Sequence, residues 1–344
     1  MTASYKKYIL NFKRPSGTSR GVLTEKETWF LKISEGNNFG IGECGILRSL
    51  SYDDRPDYEE KLKWVCNNIN LGEEMLWEEL REFPSIQFGV EMAFKSLNSE
   101  NPFVLFPSEF TSGKKSIAIN GLIWMGDKQF MKEQISEKIE AGFDCIKLKI
   151  GAIDFDTELD LIKSIRSNFS EKEIELRVDA NGGFSPNDAF HKLEQLSKYK
   201  LHSIEQPIKQ GQLKDMAELC SKTPLPIALD EELIGVTDVT EKENLIQIIK
   251  PQYAIFKPSL IGGFKGTAEW KEACEKNDIK WWITSALESN IGLNAIAQWT
   301  YTLNPELPQG LGTGGLYTNN IDCPLEVKNG KIHYNPAKDW EINF

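Results

Sequence analysis

The sequence is poor in the residues that build thiol and imidazole metal sites. Its 344 residues include three histidines and six cysteines. The cysteines (Cys44, Cys66, Cys145, Cys220, Cys274 and Cys323) are scattered, with no CxxC pair. A disulfide framework and a structural zinc site are therefore excluded, and reduced thiols are expected. No apolar run approaches the roughly 20 residues of a membrane-spanning helix. The first segment, MTASYKKYILNFKRPSG, is broken by charges where a signal peptide would be apolar. A soluble, cytoplasmic protein is the expectation. Positive charge is also lacking: the formal net charge is −11, which argues against nucleic acid or an anionic membrane as partner. It does not argue against a small anionic substrate, because local charge in a pocket can oppose the global sign. Monomer and homo-oligomer remain equally open.

What is present changes in texture near residue 116. Before it, KKYILNF, TWFLKI and NFGIGECGIL alternate like antiparallel strands, with the loop KRPSGTSRGVLTEKE between the first two. Segments 57–81 and 85–98 follow with apolar residues at helical spacing. Residues 1–115 thus read as an α+β domain. After Ser116, short apolar strands alternate with amphipathic helices. The strands are 116–121, 145–150, 174–180, 202–207, 226–231, 253–259, 280–286 and 308–313. Helices are expected at 127–141, 155–168, 185–198, 211–221, 240–249, 265–276 and 291–302. Eight strands with seven intervening helices predict a closed parallel barrel over 116–317 whose last helix is missing or replaced. An open doubly wound sheet is the alternative, but NGLIWMGDK is not the Gly-rich phosphate turn it would need. The tail, 318–344, returns to β-hairpin texture and is expected to complete the N-terminal domain.

Charges interrupt these strands at a recurring place. DCIKLKIGAID puts Lys147 and Lys149 into a run that should be buried and apolar. Asp179 and Asn181 end the third strand, Glu205 the fourth, Asp230 and Glu231 the fifth, and Lys257 the sixth. Residues 179, 205, 230 and 257 are each separated by about one βα unit, so all four are expected at the C-terminal mouth, where barrels keep their active sites. A single acid there is usually a helix cap or a loop ion pair, and a single lysine can snorkel out. Three acids on adjacent strands, flanked by lysines, are improbable as separate accidents. Converging carboxylates repel one another unless a cation lies between them. Oxygen-only ligands point to a hard divalent ion, Mg²⁺ rather than Ca²⁺ or Zn²⁺. Strand alternation sends Lys147 and Lys149 to one side. Two neighbouring ammoniums disfavour each other's protonation, so Lys149 is the expected general base, with Lys257 opposed to it.

As a set, KLK (147–149), DAN (179–181), EQP (205–207), DE (230–231) and KPS (257–259) resemble the enolase superfamily, muconate-lactonizing-enzyme subgroup. The chain is most similar there to the o-succinylbenzoate synthase family. The resemblance implies a (β/α)7β modified TIM barrel with an N-terminal α+β capping domain, and Asp179, Glu205 and Asp230 as Mg²⁺ ligands. It implies dehydration of 2-succinyl-6-hydroxy-2,4-cyclohexadiene-1-carboxylate to 2-succinylbenzoate in menaquinone biosynthesis, through a metal-stabilised enediolate. Lys149 would take the α-proton and assist loss of the hydroxyl. Lys257 would lie over the ring in a cation–π-like contact, Lys147 would tune Lys149, and Asn181 and Glu231 would support the ligands. SALESNIG would be the substrate loop, making Ser285, Leu287, Glu288, Ser289 and Asn290 candidate contacts, together with Gly312 on the eighth strand. The capping loop 14–21 would close over the substrate through Thr18, Ser19 and Arg20, with Arg48 a further candidate.

Relatives within the subgroup compete with this reading. Dipeptide epimerases carry an acidic motif at the eighth strand, where this chain has GLGTGGLY and no acid. A two-lysine site also suits an N-acylamino-acid racemase, and the motifs do not exclude muconate cycloisomerisation. A His–Asp dyad of the mandelate-racemase type is absent from ITSALES. A binding protein on a decayed barrel would be expected to have lost at least one of Lys149, Asp179, Glu205, Asp230 and Lys257. Metal-dependent exchange of a substrate α-proton in D₂O separates enzyme from binder.

Overall fold

A computed structural model describes residues 1–18 and 21–341. Three antiparallel strands come first, β1 (Thr2–Thr18), β2 (Gly21–Glu35) and β3 (Asn38–Gly45), in that order. The segment expected as a loop around 14–21 is mostly strand. β1 and β2 stay paired up to Thr18↔Gly21, with an irregularity between Asn11 and Ser16. The expected helix 57–81 is interrupted, giving α1 (Tyr58–Asn67) and α2 (Glu73–Glu79), with Gly72 at φ 84° between them. α3 (Pro84–Leu97) follows, with its proline at the first turn, where no amide is needed.

β2 has two apolar faces. Trp29, Leu31 and Ile33 pack with Leu62, Val65, Ile86 and Val90 of the helices, while Phe30 on the opposite face meets Ile41, Ile291 and Ile321. β3 lies directly on the backbone of α3. A Cβ on Gly42 would sit 1.9 Å from the Gly89 carbonyl oxygen, so no larger residue fits.

The expected strand 116–121 is split. β4 (Ser116–Ala118) pairs antiparallel with the tail, while β5 (Gly121–Ile123) begins the parallel sheet. The rest alternates: α4 (Lys128–Glu140), β6 (Cys145–Lys149), α5 (Phe155–Arg166), β7 (Glu175–Asp179), α6 (Pro186–Ser197), β8 (Ser203–Glu205), α7 (Leu213–Lys222), β9 (Ile227–Leu229), α8 (Val239–Ile249), β10 (Tyr253–Phe256), a short α9 (Pro258–Ile261), α10 (Gly263–Glu275), β11 (Lys280–Ile283) and α11 (Asn290–Thr302). Local chemistry starts several of these helices. Asp127, Asp154, Ser185, Asp238 and Ser289 each accept a first-turn amide.

β5 to β11 form one seven-stranded parallel sheet in sequence order. Segment 309–310 touches both of its ends through parallel bridges, Gln309 to Ile119 and Gly310 to Thr284. Buried aliphatic side chains, among them Ile146, Leu148, Val178, Ile204 and Leu229, belong to the large core. The tail folds as β12 (Leu325–Lys328) and β13 (Lys331–Tyr334), in a sheet ordered β12-β13-β4. It is also bridged to β1 through Phe12↔Tyr317. None of the described helices is long and apolar enough to cross a membrane.

Candidate active site

Strand register assembles the charged groups. In the parallel ladder Lys149 lies beside Asp179, and Asp179 beside Glu205, so one row crosses β6, β7 and β8. Asp230 follows β9 and Lys257 follows β10. All six ionisable groups, Lys147 included, are buried. Asp179, Glu205 and Asp230 each present an oxygen, and the three oxygens lie within 4.8 Å of one another.

The lysines donate into this cluster. Lys147 Nζ donates to Glu205 Oε2 at 2.7 Å and to Asp179 Oδ2 at 3.3 Å. Lys149 Nζ donates to Asp179 Oδ2 at 2.6 Å and to Asn181 Oδ1 at 2.9 Å. Lys257 Nζ donates to Asp230 Oδ2 at 2.5 Å from the other side. Lys147 and Lys149 therefore share the side that strand alternation assigns them.

Their protonation equilibria diverge. Burial pulls Lys149 below the ordinary lysine value. Asp179 opposes that shift, whereas the Lys147 and Lys257 ammoniums reinforce it. Lys147 is equally buried, but Glu205 and Asp179 together outweigh desolvation and hold its pKa up. Burial also disfavours ionised Asp179, yet Lys149 and Lys147 keep it well below the usual carboxylate range. Glu205 moves the other way: burial raises it, and the adjacent Asp179 and Asp230 add to the rise against Lys147.

A cation is what such a set accommodates. Glu205 Oε1 is buried without a hydrogen-bond partner, and the grouped donors are carboxylate oxygens throughout. An unsatisfied buried carboxylate oxygen beside two further acids fits a hard divalent ion. The histidines stand elsewhere. His191 lies in α6, bonded to Gln195, His333 lies in β13, and His202 packs on Tyr253 and Trp282.

Two polar residues hold the loops that carry these groups. Asn181, at φ 44°, donates from Nδ2 to Glu231 Oε1 at 2.9 Å, which places both expected supporting residues beside the acids. Gln206, at φ 36°, was not singled out in the sequence. Its Oε1 accepts from the Asp230 and Glu232 amides, and its Nε2 donates to Glu232 Oε2. The EQP motif contained it, but only the fold shows that it braces the turn carrying Asp230.

Above the lysines lies a cavity of about 360 Å³. Lys147, Lys149 and Lys257 line it, as do Ser285, Leu287, Gly312 and Thr18 of the expected substrate contacts. Ser19 and Arg20 lie outside the described residues. Three other expected contacts are engaged away from the lining. Glu288 accepts from Ser259 and Ser285 hydroxyls at 2.5 and 2.6 Å. Ser289 caps α11 and donates to Glu43 Oε2 at 2.5 Å. Asn290 Nδ2 donates to the Ile321 carbonyl at 2.6 Å. Arg48 is tied to Glu27 and Asp54, and its neighbours Leu47 and Leu50 reach the cavity instead.

Arg14 of the expected capping loop is also on the cavity wall, with Lys13 and Lys138, which no sequence pattern marks. With the three deep lysines they face a single lining carboxylate among the described residues, Glu137, which pairs with Arg14 at 3.5 Å. The cavity wall is thus rich in basic side chains, the deep three of them paired with Asp179, Glu205 and Asp230, in a chain whose net charge is −11. Cation-rich walls in a partly desolvated cleft select anions.

Comparison with known proteins bears on this arrangement. Residues 130–338 match the family described as enolase C-terminal domain-like. The chain is 45% identical to an o-succinylbenzoate synthase of Desulfotalea psychrophila, over 96% of this chain and 98% of that one. It is 26% identical to an L-amino acid-D/L-Glu epimerase of Francisella philomiragia, over 72% of this chain and 65% of that one. Among solved structures, MenC from Desulfotalea psychrophila superposes with a TM-score of 0.86 at 42% identity, covering 97% of this chain and 99% of that one. Muconate lactonizing enzyme from Pseudomonas fluorescens shares the fold at a TM-score of 0.83 and 18% identity, covering 99% and 96%.

Proposed function

The chain belongs to the enolase superfamily and, within it, to the o-succinylbenzoate synthase family, and on that premise we propose that it dehydrates 2-succinyl-6-hydroxy-2,4-cyclohexadiene-1-carboxylate to 2-succinylbenzoate, a step of menaquinone biosynthesis. The observation that carries this reading is the row Lys149–Asp179–Glu205, faced by Lys257 on Asp230, at the floor of a cavity rich in basic side chains.

The seven-stranded sheet, bridged at both ends by segment 309–310, supports a (β/α)7β barrel over 116–317. The N-terminal sheet and helices, residues 1–115, would cap it, with the tail 318–344 completing the cap. Asp179, Glu205 and Asp230 would hold Mg²⁺, the ion suited to an oxygen-only site that leaves room for substrate. When bound, that ion supplies positive charge for the ring carboxylate.

The chain's own residues do the rest. Lys149, whose ammonium burial and two neighbouring lysines disfavour, takes the α-proton of the substrate in its neutral form. The electron pair left behind forms the new ring double bond, and the C–O bond to the hydroxyl breaks. The proton on Lys149 leaves with that hydroxyl as water, so one lysine acts as base and then as acid. Lys257, on the far side, would balance the charge that grows on the carboxylate and ring. Lys147, held charged by Glu205 and Asp179, would keep Lys149 poised. Leu23, Leu47, Leu50 and Trp124 give the ring apolar walls, and Lys13, Arg14 and Lys138 offer cations to the second carboxylate of the substrate. An aminoacyl substrate is disfavoured, because the eighth-strand part of the wall (Gly310, Gly312, Thr313) brings no acid for its ammonium. Free cysteines throughout the chain fit a cytoplasmic setting.

The direct experiment is turnover of the cyclohexadiene substrate with and without EDTA. Aromatisation in Mg²⁺, its loss in EDTA and its return on adding Mg²⁺ are expected. Turnover unchanged by chelation would overturn the metal assignment, and no turnover in Mg²⁺ would overturn the substrate assignment.

A further inference from the structure

Two glutamates of the N-terminal segment are buried against helices that follow the parallel strands. Glu43, on β3, is fully buried, and Glu91, on α3, is 5% exposed. Each directs its carboxylate to the first turn of a helix 173 or more residues further along the chain.

Glu91 meets α10. Its Oε2 accepts from the Phe264 amide at 2.5 Å and its Oε1 from the Lys265 amide at 3.0 Å. α4, α5, α6 and α8 have an Asp or Ser of their own at this place, whereas α10 begins at Gly262, which has no side chain to offer. Gly262 and Gly263 sit at φ 96° and 71°, and a Cβ on Gly263 would lie 2.0 Å from Glu91 Oε2. Trp77 Nε1 donates to the Gly262 carbonyl at 3.2 Å, so α2 and α3 together seat this turn.

Glu43 meets α11. Its Oε1 accepts from the Ser289 amide at 2.8 Å and the Thr28 hydroxyl at 2.9 Å. Its Oε2 accepts from the Ser289 hydroxyl at 2.5 Å and the Gly292 amide at 2.8 Å. The Asn290 amide donates to Asn320 Oδ1 at 2.9 Å, and the Ile291 amide to Ser289 Oγ at 3.1 Å. Amides that a helix start ordinarily leaves to water are thus paired here, and their partial positive charge suits a buried carboxylate.

The two helix starts differ in what precedes them. Ser285 and Leu287 line the cavity, four and two residues before Ser289. Leu287 sits at φ 63°, a conformation that a leucine keeps only when its surroundings enforce it. Phe264 lies seven residues beyond Lys257, with α9 and the two left-handed glycines between them.

We propose that Glu43 and Glu91 are helix caps in trans, which dock the N-terminal sheet and α3 onto the starts of α11 and α10, and that Glu43 is thereby a positioning residue for Ser285 and Leu287 at the cavity wall. Glu91 anchors α10 without reaching the cavity. The caps hold whichever anion the cavity takes; only the kinetic part of the test rests on the dehydration reading.

The test is hydrogen exchange and kinetics on the full-length protein. In the wild type, the Phe264, Lys265, Ser289 and Gly292 amides should exchange at least about tenfold more slowly than those of Lys214 and Asp215, at the exposed start of α7, where Gln212 makes no side-chain cap. Glu43→Gln keeps the shape but turns an amide NH2 onto a backbone donor. The Leu287, Ser289 and Gly292 amides should then exchange about tenfold faster while β6 to β8 stay protected, and KM should rise about tenfold with kcat within about threefold. Glu91→Gln should speed exchange at Phe264 and Lys265 by about the same factor and leave KM within about threefold. Wild-type amides as fast as those of α7, or unchanged exchange in a folded variant, would overturn the caps. An unchanged Leu287 amide in Glu43→Gln, or a KM that moves equally in both variants, would overturn Glu43 as a positioning residue. The wild-type measurement decides the caps should a variant fail to fold. The exchange readouts stand should the cyclohexadiene substrate not be turned over, which separates this proposal from the assignment of activity.

Discussion

At the scale of single residues, the decisive contrast is between Lys147 and Lys149. They are two positions apart on one strand and equally buried, yet their equilibria move in opposite directions. Lys147 sits between two carboxylates, whereas Lys149 shares one of them and feels two other ammoniums. Replacement Lys149→Ala should therefore lower kcat by about 10²–10⁴-fold without unfolding the chain, and should abolish α-proton exchange in D₂O. Retained exchange would remove Lys149 as the base. Glu205 carries the buried oxygen that lacks a partner. Glu205→Gln should weaken Mg²⁺ binding by at least about tenfold in calorimetry, because the amide removes one anionic ligand. These residues were legible in the sequence because each breaks a local rule, a charge at the end of an apolar strand. Glu43 was not, since a glutamate on an antiparallel strand ordinarily faces solvent.

At the scale of elements, the parallel ladder and the helix caps follow from nearby chemistry, and most helix ends fall within two residues of where the pattern puts them. The departures have physical causes. The first barrel strand was expected to start at 116, but Ser116–Ala118 pairs with β13, about 215 residues away in sequence. Residues 14–18 of the expected loop are strand because β1 and β2 continue pairing across an irregularity at 11–16. Close approach of β3 and α3 was equally hidden. Gly42→Ala would push a methyl to within 1.9 Å of the Gly89 carbonyl position. It should destabilise the protein by about 3 kcal/mol or more in urea unfolding. A loss under about 1 kcal/mol would mean that the two elements part easily.

At the scale of the whole molecule, the two ends of the parallel sheet have opposite characters. The C-terminal ends hold the buried cluster of acids and lysines and the cavity. Toward the other ends, Arg177 stacks over Trp282 at 4.3 Å, and His202 packs on Tyr253. Burial depresses the His202 pKa to about 4, with Glu175 opposing and Arg177 and Lys280 assisting. A depressed histidine binds its proton more readily in the unfolded chain. Its contribution is therefore complete above pH 6.5 and is lost as pH falls through 4. That loss amounts to about 2–3 kcal/mol by pH 4.5. His202→Phe, which keeps a ring against Tyr253, should flatten the stability profile over that interval in denaturant titrations at several pH values. An equally steep profile in the variant would assign acid sensitivity to other groups.

Composition and periodicity were enough to determine the alternation of strand and helix, the heights of the acids and lysines along their strands, and the side on which Lys147 and Lys149 emerge. Those properties depend on neighbours a few residues away, through a period of two or of 3.6. Only the tertiary structure decided which charges meet. Lateral register puts Lys149, Asp179 and Glu205 in one row, sends Glu288 away from the cavity toward two serines, and brings Glu43 of β3 to the start of α11. Such pairings are set by how whole elements pack, and packing sums contacts between segments that no local pattern connects.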